Sequence, residues 1–339
     1  MKADPEVAAV TASRTLKLPE GRKQSPCKSG PTCPQVIPRG IRRVQADASS
    51  TASGDGHGAV NTNIAIIDTG VDATHPDPNV VGGTNCVPDG VRGGVDPYGH
   101  GTMVAGIAAA RDDSKGFVGT APGARLWSVG ALDVNAEGTD AEIICGIDWV
   151  TATRKDATPS NDITVANLSI ADDVSGFGDD HNCGLTNGDP IHTAICRGTA
   201  AGVTFVVAAG NDSQDFSQYK LSSYHEVLTV TGMTDGDGKP GGLTPDPCMG
   251  EPDDTAVFFS RYGKTTDADH TVAAPAVCVG SDYPGRQFAL DSGTSFAAPH
   301  VTGAVALCIA SGACAGLLPQ QIINKITADA LAYSQAHPE

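Results

Sequence analysis

Asp291-Ser292-Gly293-Thr294-Ser295-Phe296-Ala297-Ala298-Pro299-His300 is the stretch that decides how the rest of the sequence is interpreted. It leads into the apolar residues 301–309, which are numerous enough for a helix, so Ser295 is predicted to lie in a first helical turn. A hydroxyl there faces unpaired backbone N–H groups and the positive end of the helix dipole. Both stabilise negative charge that develops beside an attacking oxygen. The pattern is typical of a nucleophile and also of an ordinary capped helix N-terminus.

Two further polar residues stand next to apolar segments. Ile64-Ala65-Ile66-Ile67 ends in Asp68-Thr69-Gly70, which predicts a buried parallel strand with an aspartate at its C-terminal end. Catalytic groups of open α/β sheets gather at that edge. Gly99-His100-Gly101-Thr102 precedes the apolar residues 103–110, so His100 is predicted to begin a helix. Each residue alone is compatible with a structural role, and a catalytic role requires a serine, a base and an orienting carboxylate together.

Helix and strand signals alternate through the middle of the chain. Helices are predicted over residues 141–150 and 189–201, and strands over residues 163–170, 203–209 and 227–230. This alternation predicts the α/β class, with a mostly parallel twisted sheet and helices on both faces. We expect a single large domain.

Composition excludes several classes of protein. The chain has 22 basic and 39 acidic residues, a net charge of −17, which argues against nucleic acid or a membrane surface as a partner. No apolar run approaches the ~20 residues of a membrane span. Ten cysteines without zinc-finger spacing predict disulfides and a secreted, extracellular protein, the alternative being buried free thiols. No G-x-G-x-x-G follows the strand over residues 64–67, so no organic cofactor is expected.

Four motifs together resemble those of the subtilisin-like serine proteases. They are Asp68-Thr69-Gly70, Gly99-His100-Gly101-Thr102, Ala208-Ala209-Gly210-Asn211 and Gly293-Thr294-Ser295-x-Ala297-x-Pro299-His300. The resemblance implies the subtilisin-like fold and an endopeptidase that forms an acyl-enzyme. Ser295 would be the nucleophile, His100 the general base and then acid, and Asp68 the group that orients the imidazole. Asn211 would donate a hydrogen bond to the oxyanion.

The resemblance extends from about Gln35 to about Ala310 and also implies where a substrate binds. A peptide would lie as an added strand between residues 168–170 on one side and Glu137-Gly138 on the other. The S1 pocket would be broad and mainly apolar, with Asp140 near the S4 pocket or in solvent. The implied substrate-binding residues are Leu168, Ser169, Ile170, Ala208, Gly210 and Gly138.

A structural calcium site is implied by the same resemblance. Gln35, Asp77 and Asp113 would be side-chain ligands. Backbone carbonyls of Arg111, Lys115 and Phe117 would complete the all-oxygen shell that calcium prefers. The alternative is a polar loop without an ion. Within the protease-like region, the nearest cysteines predict the bridges Cys183–Cys196, Cys248–Cys278 and Cys308–Cys314.

Domain organisation and partners follow from these assignments. Residues 1–33 are polar and rich in turn formers, which predicts an N-terminal extension or the remnant of a removed pro-segment. Residues 34–312 would form the subtilisin-like protease domain, and residues 313–339 a C-terminal helix and tail. We expect a monomer whose partners are protein or peptide substrates and an inhibitory pro-segment.

Two other functions remain to be weighed. Asp68-Thr69-Gly70 and Asp291-Ser292-Gly293 both match the signature of aspartic proteases, which share a proton between two carboxylates in an all-β bilobal fold. That hypothesis leaves His100 and Asn211 unexplained. The second alternative is a catalytically silent, protease-like binding protein that keeps the fold, although every catalytic position holds the expected residue type.

Overall fold

The computed structural model describes residues 34–88, 94–172 and 174–337, together with the backbone of Thr15–Lys17. Seven parallel strands form the central sheet: β2 (Asn63–Asp68), β3 (Val80–Asn85), β4 (Arg125–Gly130), β6 (Val165–Leu168), β7 (Thr204–Ala208), β8 (Val227–Met233) and β9 (Thr271–Pro275). Their order across the sheet is β3-β4-β2-β6-β7-β8-β9. Two antiparallel pairs lie outside it: β1 (Thr15–Lys17) with β5 (Glu137–Thr139), and β10 (Val279–Tyr283) with β11 (Gln287–Asp291).

Within the described residues, six α-helices connect and cover the strands. They are α1 (Arg39–Arg43), α2 (His100–Ala109), α3 (Asp140–Thr153), α4 (Pro190–Ala200), α5 (Thr294–Ala310) and α6 (Pro319–Ala336). The predicted α/β class with a parallel sheet is therefore confirmed. Among the residues described, no helix combines the length and the apolar character needed to cross a membrane.

The two faces of the sheet are buried against different helices. Ile64 and Ile66 of β2 belong to an apolar cluster that includes residues of α2 and α5. Ala65 and Ile67 point the other way, into a cluster that includes residues of α3 and α4. Successive side chains of a strand alternate between faces, so a central strand covered on both sides has an uninterrupted apolar sequence.

The strand β3 and the β10–β11 hairpin were not predicted. The Gly82-Gly83 pair within β3 is typical of a turn, yet here it permits close packing on β4. A Cβ atom on Gly82 would lie 2.6 Å from the ring of Trp127. The missing side chains therefore make room for a tryptophan, a reason that local sequence does not reveal.

All three predicted disulfides are present, and the described residues contain one more. The predicted bridges are Cys183–Cys196, Cys248–Cys278 and Cys308–Cys314. The additional bridge, Cys86–Cys145, connects the chain after β3 to helix α3. This bridge closes a loop with a sequence separation of 59 residues. In the chain-entropy treatment such a loop contributes about 4 kcal/mol to stability.

Candidate active site

Asp68 and His100 meet at the carboxyl edge of the sheet, where β2 ends and α2 begins. The Nδ1 atom of His100 lies 2.8 Å and 2.9 Å from the two carboxylate oxygens of Asp68. The helix approaches so closely because residue 101 is glycine. A Cβ atom on Gly101 would lie 2.0 Å from the carbonyl oxygen of Gly70. Both predicted residues are thus brought into direct contact.

Asp96 holds the two segments together, and it was missed at the sequence level. Its buried carboxylate accepts hydrogen bonds from the Gly99 and Thr102 backbone N–H groups at 2.7 and 2.8 Å. It also accepts hydrogen bonds from the hydroxyl groups of Thr69, at 2.8 Å, and Thr102, at 2.7 Å. One side chain therefore fixes both the turn after Asp68 and the first turn of α2. The only signal in the sequence was an aspartate shortly before a helix.

The contact with Asp68 determines the chemistry of His100. Burial lowers the pKa of the imidazole, but the charge of Asp68 and its hydrogen bond more than offset this, so the pKa lies above the usual 6.5. Because a carboxylate only accepts hydrogen bonds, the proton of the neutral imidazole resides on Nδ1. Nε2 is then the unprotonated nitrogen, which is the state of a general base.

Ser295 is the second residue of α5 and is 4% exposed. Its hydroxyl donates to the Ser169 carbonyl oxygen at 3.2 Å, and the Ser169 hydroxyl donates to the Ser295 carbonyl oxygen at 2.6 Å. This reciprocal pair fixes the start of α5 against the chain that leaves β6. Ser295 therefore lies at the same sheet edge as Asp68 and His100.

The side chain of Asn211 is oriented by Thr294. Its Oδ1 accepts hydrogen bonds from the Thr294 backbone N–H at 2.8 Å and from the Thr294 hydroxyl at 3.0 Å. The Thr294 hydroxyl also accepts from the backbone N–H of Gly210 at 3.1 Å. With Oδ1 engaged, the amide nitrogen of Asn211 is the end that remains to donate a hydrogen bond to a ligand.

Comparison with known proteins agrees with this geometry. The chain matches the Subtilase family over residues 60–332. The chain belongs to the subtilase family. Subtilisin DY of Bacillus licheniformis is 32% identical over 276 residues, covering 80% of this chain and 84% of the relative. Subtilisin Savinase of Lederbergia lenta is 34% identical over 273 residues, with coverage of 80% and 84%. The chain is accordingly a serine endopeptidase of the subtilisin type.

Most of the residues implied to bind substrate lie at the carboxyl ends of β6 and β7, where Ser169 contacts Ser295. Leu168 and Ala208 end adjacent strands β6 and β7, and Ser169, Ile170 and Gly210 directly follow those strands. Gly138 lies in β5, where its backbone pairs with Leu16 of β1. An edge that binds one strand can bind another chain in the same way.

Asp140 does not point to solvent, which was one of its two predicted placements. Its carboxylate is 4% exposed and lies 2.9 Å from Nζ of Lys220. The residue therefore belongs to a buried ion pair at the start of α3. With its charge compensated, it gives no reason to expect a basic P4 side chain.

A buried arginine beside the Ser169 and Gly210 segments was not predicted. Arg261 is 3% exposed and forms a two-point contact with Asp212, at 2.6 and 2.9 Å. Its Nη2 also donates to the Asp172 carbonyl oxygen at 2.7 Å. A Cβ atom on Gly210 would lie 2.6 Å from the Arg261 side chain, which explains glycine there, where φ is +112°. The guanidinium thus supports both segments while Asp212 balances its charge.

The implied calcium ligands lie in or beside one loop, residues 111–117. The loop over residues 111–117 packs on Gln35, whose Oε1 accepts from the Ser114 N–H and whose Nε2 donates to Asp112, both at 2.5 Å. Asp77 reaches the same loop, because a Cβ atom on Gly116 would lie 2.2 Å from its Oδ2. That Oδ2 is buried without a hydrogen-bond partner among the described residues. Asp113 is exposed and accepts from the N–H of Lys115 at 3.1 Å.

A second buried carboxylate, Asp282 of β10, faces Asp77 and was missed. Neither of its oxygens has a hydrogen-bond partner in the part of the chain described, although it is 0% exposed. Burial and repulsion from Asp77 raise the pKa of Asp282 well above its usual range, and burial raises the pKa of Asp77 to about 6. Two such carboxylates with unused oxygens fit a hard divalent cation. The residues present are thus compatible with the expected calcium ion.

Proposed function

We propose that this subtilase hydrolyses peptide bonds through an acyl-enzyme on Ser295, with His100 and Asp68 as its catalytic partners. The observation that carries the proposal is the two-oxygen contact of Asp68 with Nδ1 of His100 at the sheet edge where α5 places Ser295. An unprotonated Nε2, an oriented imidazole and a serine in a first helical turn are the requirements of this chemistry.

The reaction proceeds in two halves. Ser295 turns away from the Ser169 carbonyl, gives its proton to Nε2 of His100 and attacks the scissile carbonyl carbon. The oxyanion accepts hydrogen bonds from the Asn211 amide and the Ser295 backbone N–H. His100 then protonates the leaving amine as the C–N bond breaks. A water molecule repeats the sequence and releases the acid. Asp68 stabilises the imidazolium in both halves.

Substrates are proteins or peptides bound as an extra strand between β5 and the chain after β6. Ile170 and Ala208 support a mainly apolar S1 pocket, since both are buried apolar residues at the ends of the substrate segments. The Arg261–Asp212 pair beside this pocket is compensated, so it adds no net charge. We therefore infer broad specificity with a preference for apolar P1 side chains.

The first strand, β1, supports the inference that residues 1–33 act as an inhibitory segment. Its backbone pairs antiparallel with β5 in the register Thr15–Thr139, Leu16–Gly138 and Lys17–Glu137. β5 is the edge at which a substrate strand would bind. A chain segment that occupies this edge excludes substrate as long as it stays there.

Calcium, secretion and domain boundaries complete the proposal. Calcium would be held by Asp77 and Asp282 together with Gln35, Asp113 and the carbonyl groups of the 111–117 loop, and would stabilise the fold rather than take part in hydrolysis. The four disulfides among the described residues fit an oxidising, extracellular compartment. We infer a monomer with its protease domain over residues 34–312, followed by a helical C-terminal segment.

Hydrolysis of casein by the purified protein and by Ser295→Ala tests the proposal. We expect the parent to cleave casein and the variant to be inactive, with the same far-UV circular dichroism. Pepstatin should not affect the parent, because an aspartic protease mechanism would require Asp68 to face another carboxylate rather than His100. Full activity of Ser295→Ala would contradict the proposal. An inactive parent with a native spectrum would favour the silent, protease-like binding protein.

A further inference from the structure

A cluster of histidine and acidic side chains lies outside the catalytic site and the 111–117 loop. It combines the segment between β6 and α4 with the turn before β8 and the start of β9. In one group, ligand atoms of Asp179, His181 and His225 all lie within 4.8 Å of one another. None of these residues takes part in the proposed hydrolysis.

The two imidazoles converge on one carboxylate oxygen. Nδ1 of His225 lies 2.7 Å from Oδ2 of Asp179, and Nδ1 of His181 lies 3.3 Å from the same atom. Ligands bound to a tetrahedral zinc ion at 2.0–2.1 Å are about 3.3 Å apart. The distance from His181 to Asp179 already has this value, and the distance from His225 to Asp179 would have to lengthen by about 0.6 Å. A small movement of the side chains is sufficient for this.

The carboxylate is fixed in place before any ligand binds. The side chain of Asp179 is 5% exposed and accepts hydrogen bonds from the backbone N–H groups of His181, at 2.6 Å, and of His225, at 3.1 Å. The next residue, Asp180, accepts hydrogen bonds from four backbone N–H groups of the same loop, those of Asn182, Gly184, Thr186 and Asn187. The Cys183–Cys196 bridge ties the loop to α4. His181 itself has φ of +52°, an unusual conformation for a residue with a side chain.

One side of the cluster is open to solvent and the other side is buried, so a metal ion could enter from the open side. The side chain of His181 is 71% exposed and that of His225 is 35% exposed, so the group opens to solvent on one side. On the other side, the ring of His270 lies 4.7 Å from the ring of His225. His270 is fully buried, and neither of its ring nitrogens has a hydrogen-bond partner among the described residues. The cluster therefore has unused imidazole nitrogen beside its buried wall.

We propose that Asp179, His181 and His225 form a zinc-binding site distinct from the calcium loop. Two imidazole nitrogens and one carboxylate oxygen are ligands for a borderline ion such as Zn²⁺, whereas calcium prefers oxygen throughout. Solvent supplies the remaining coordination position on the open side. The ion joins the 179–189 loop to the turn before β8.

Isothermal titration of the full chain with Zn²⁺ tests the site. The Ser295→Ala form is used so that autolysis does not interfere, and excess calcium is kept present to occupy oxygen-rich sites. His181→Asn removes one imidazole, and asparagine tolerates positive φ, so this exposed substitution is expected to fold normally. His57→Asn, at an exposed histidine far from the cluster in sequence, is the matched control. We expect one zinc ion per chain, with affinity at least about tenfold weaker in His181→Asn and unchanged in His57→Asn.

A second measurement covers His225. Thermal unfolding with and without zinc should show a rise in melting temperature for the parent and for His57→Asn, but not for His181→Asn or His225→Ala. Absence of saturable zinc binding to the parent, or the same zinc affinity in His181→Asn, would overturn the proposal. The cluster would then be a hydrogen-bonded network that only stabilises its loop.

Discussion

Nδ1 of His100 contacts both carboxylate oxygens of Asp68, at 2.8 and 2.9 Å, and this pair explains why a buried imidazole has a raised pKa. Burial alone would favour the neutral ring. The adjacent carboxylate favours the protonated ring by more than burial disfavours it. The balance defines the pH range in which His100 can accept a proton.

Activity should therefore fall on the acidic side of neutrality. Hydrolysis requires neutral His100, whose pKa lies above 6.5, so kcat/KM should decline about tenfold per pH unit below that pKa. Asp68→Asn removes the charge that raises the pKa, so the midpoint should move to lower pH. It should also reduce kcat by about 10⁴, the loss caused by the equivalent substitution in another serine protease. A pH profile of kcat/KM for both forms checks this, and an unchanged midpoint in Asp68→Asn would contradict it.

Asn211→Ala should reduce kcat while KM changes little. The side chain of Asn211 is held by Thr294. In the proposed mechanism its amide group would meet charge that exists only in the transition state. We expect a loss of about 10²–10³ in kcat, the value known for removal of this donor in a subtilisin. Steady-state kinetics on a peptide anilide provide the measurement. Asn211→Asp is a matched variant that keeps the shape and should be at least as impaired, since it places a negative charge beside the oxyanion.

Calcium should stabilise the fold through Asp77 and Asp282. At a calcium concentration 1,000 times its dissociation constant, binding contributes about 4 kcal/mol to the free energy of unfolding. Chelation should therefore lower the melting temperature of the parent. Asp282→Asn should lose most of this response, yet without calcium it should be at least as stable as the parent, because it relieves repulsion with Asp77. The exposed Asp47→Asn is the control, and an unchanged response in Asp282→Asn would show that the site is misplaced.

A peptide with the sequence of residues 1–33 should inhibit hydrolysis competitively. In the structure the backbone of Thr15–Lys17 pairs with β5 at the substrate edge. Proline at position 16 removes a backbone donor and restricts the strand, so a Leu16→Pro peptide should inhibit far less. Inhibition constants for the two peptides provide the test. Equal inhibition by both would mean that strand pairing at β5 is not the cause.

The sequence was sufficient to predict the parallel sheet and where the three catalytic candidates fall within it. Asp68, His100 and Ser295 each stand at a strand end or a helix start, and such positions are visible as a change from an apolar run to small or polar residues. Parallel topology then brings those ends to one edge. The strand and helix predictions succeeded where long apolar runs lie between clear turn residues.

The features that were missed depend on contacts between distant parts of the chain. Asp282 meets Asp77 only because the β10–β11 hairpin folds onto the loop that contains it. Cys86 pairs with Cys145 across a separation of 59 residues, and a rule based on nearest cysteines cannot find such a bridge. Asp140 pairs with Lys220, which lies 80 residues away, so its burial in an ion pair was not predicted. Local pattern carries no information about such pairs.

The central claim is that Ser295 is the nucleophile, and covalent labelling tests it most directly. The folded protein is treated with a fluorophosphonate, digested and analysed by mass spectrometry. We expect a single adduct on the peptide containing Ser295, retained in Ser292→Ala and lost when His100 is replaced by alanine. No adduct in active protein, or an adduct on another serine that persists in Ser295→Ala, would contradict it.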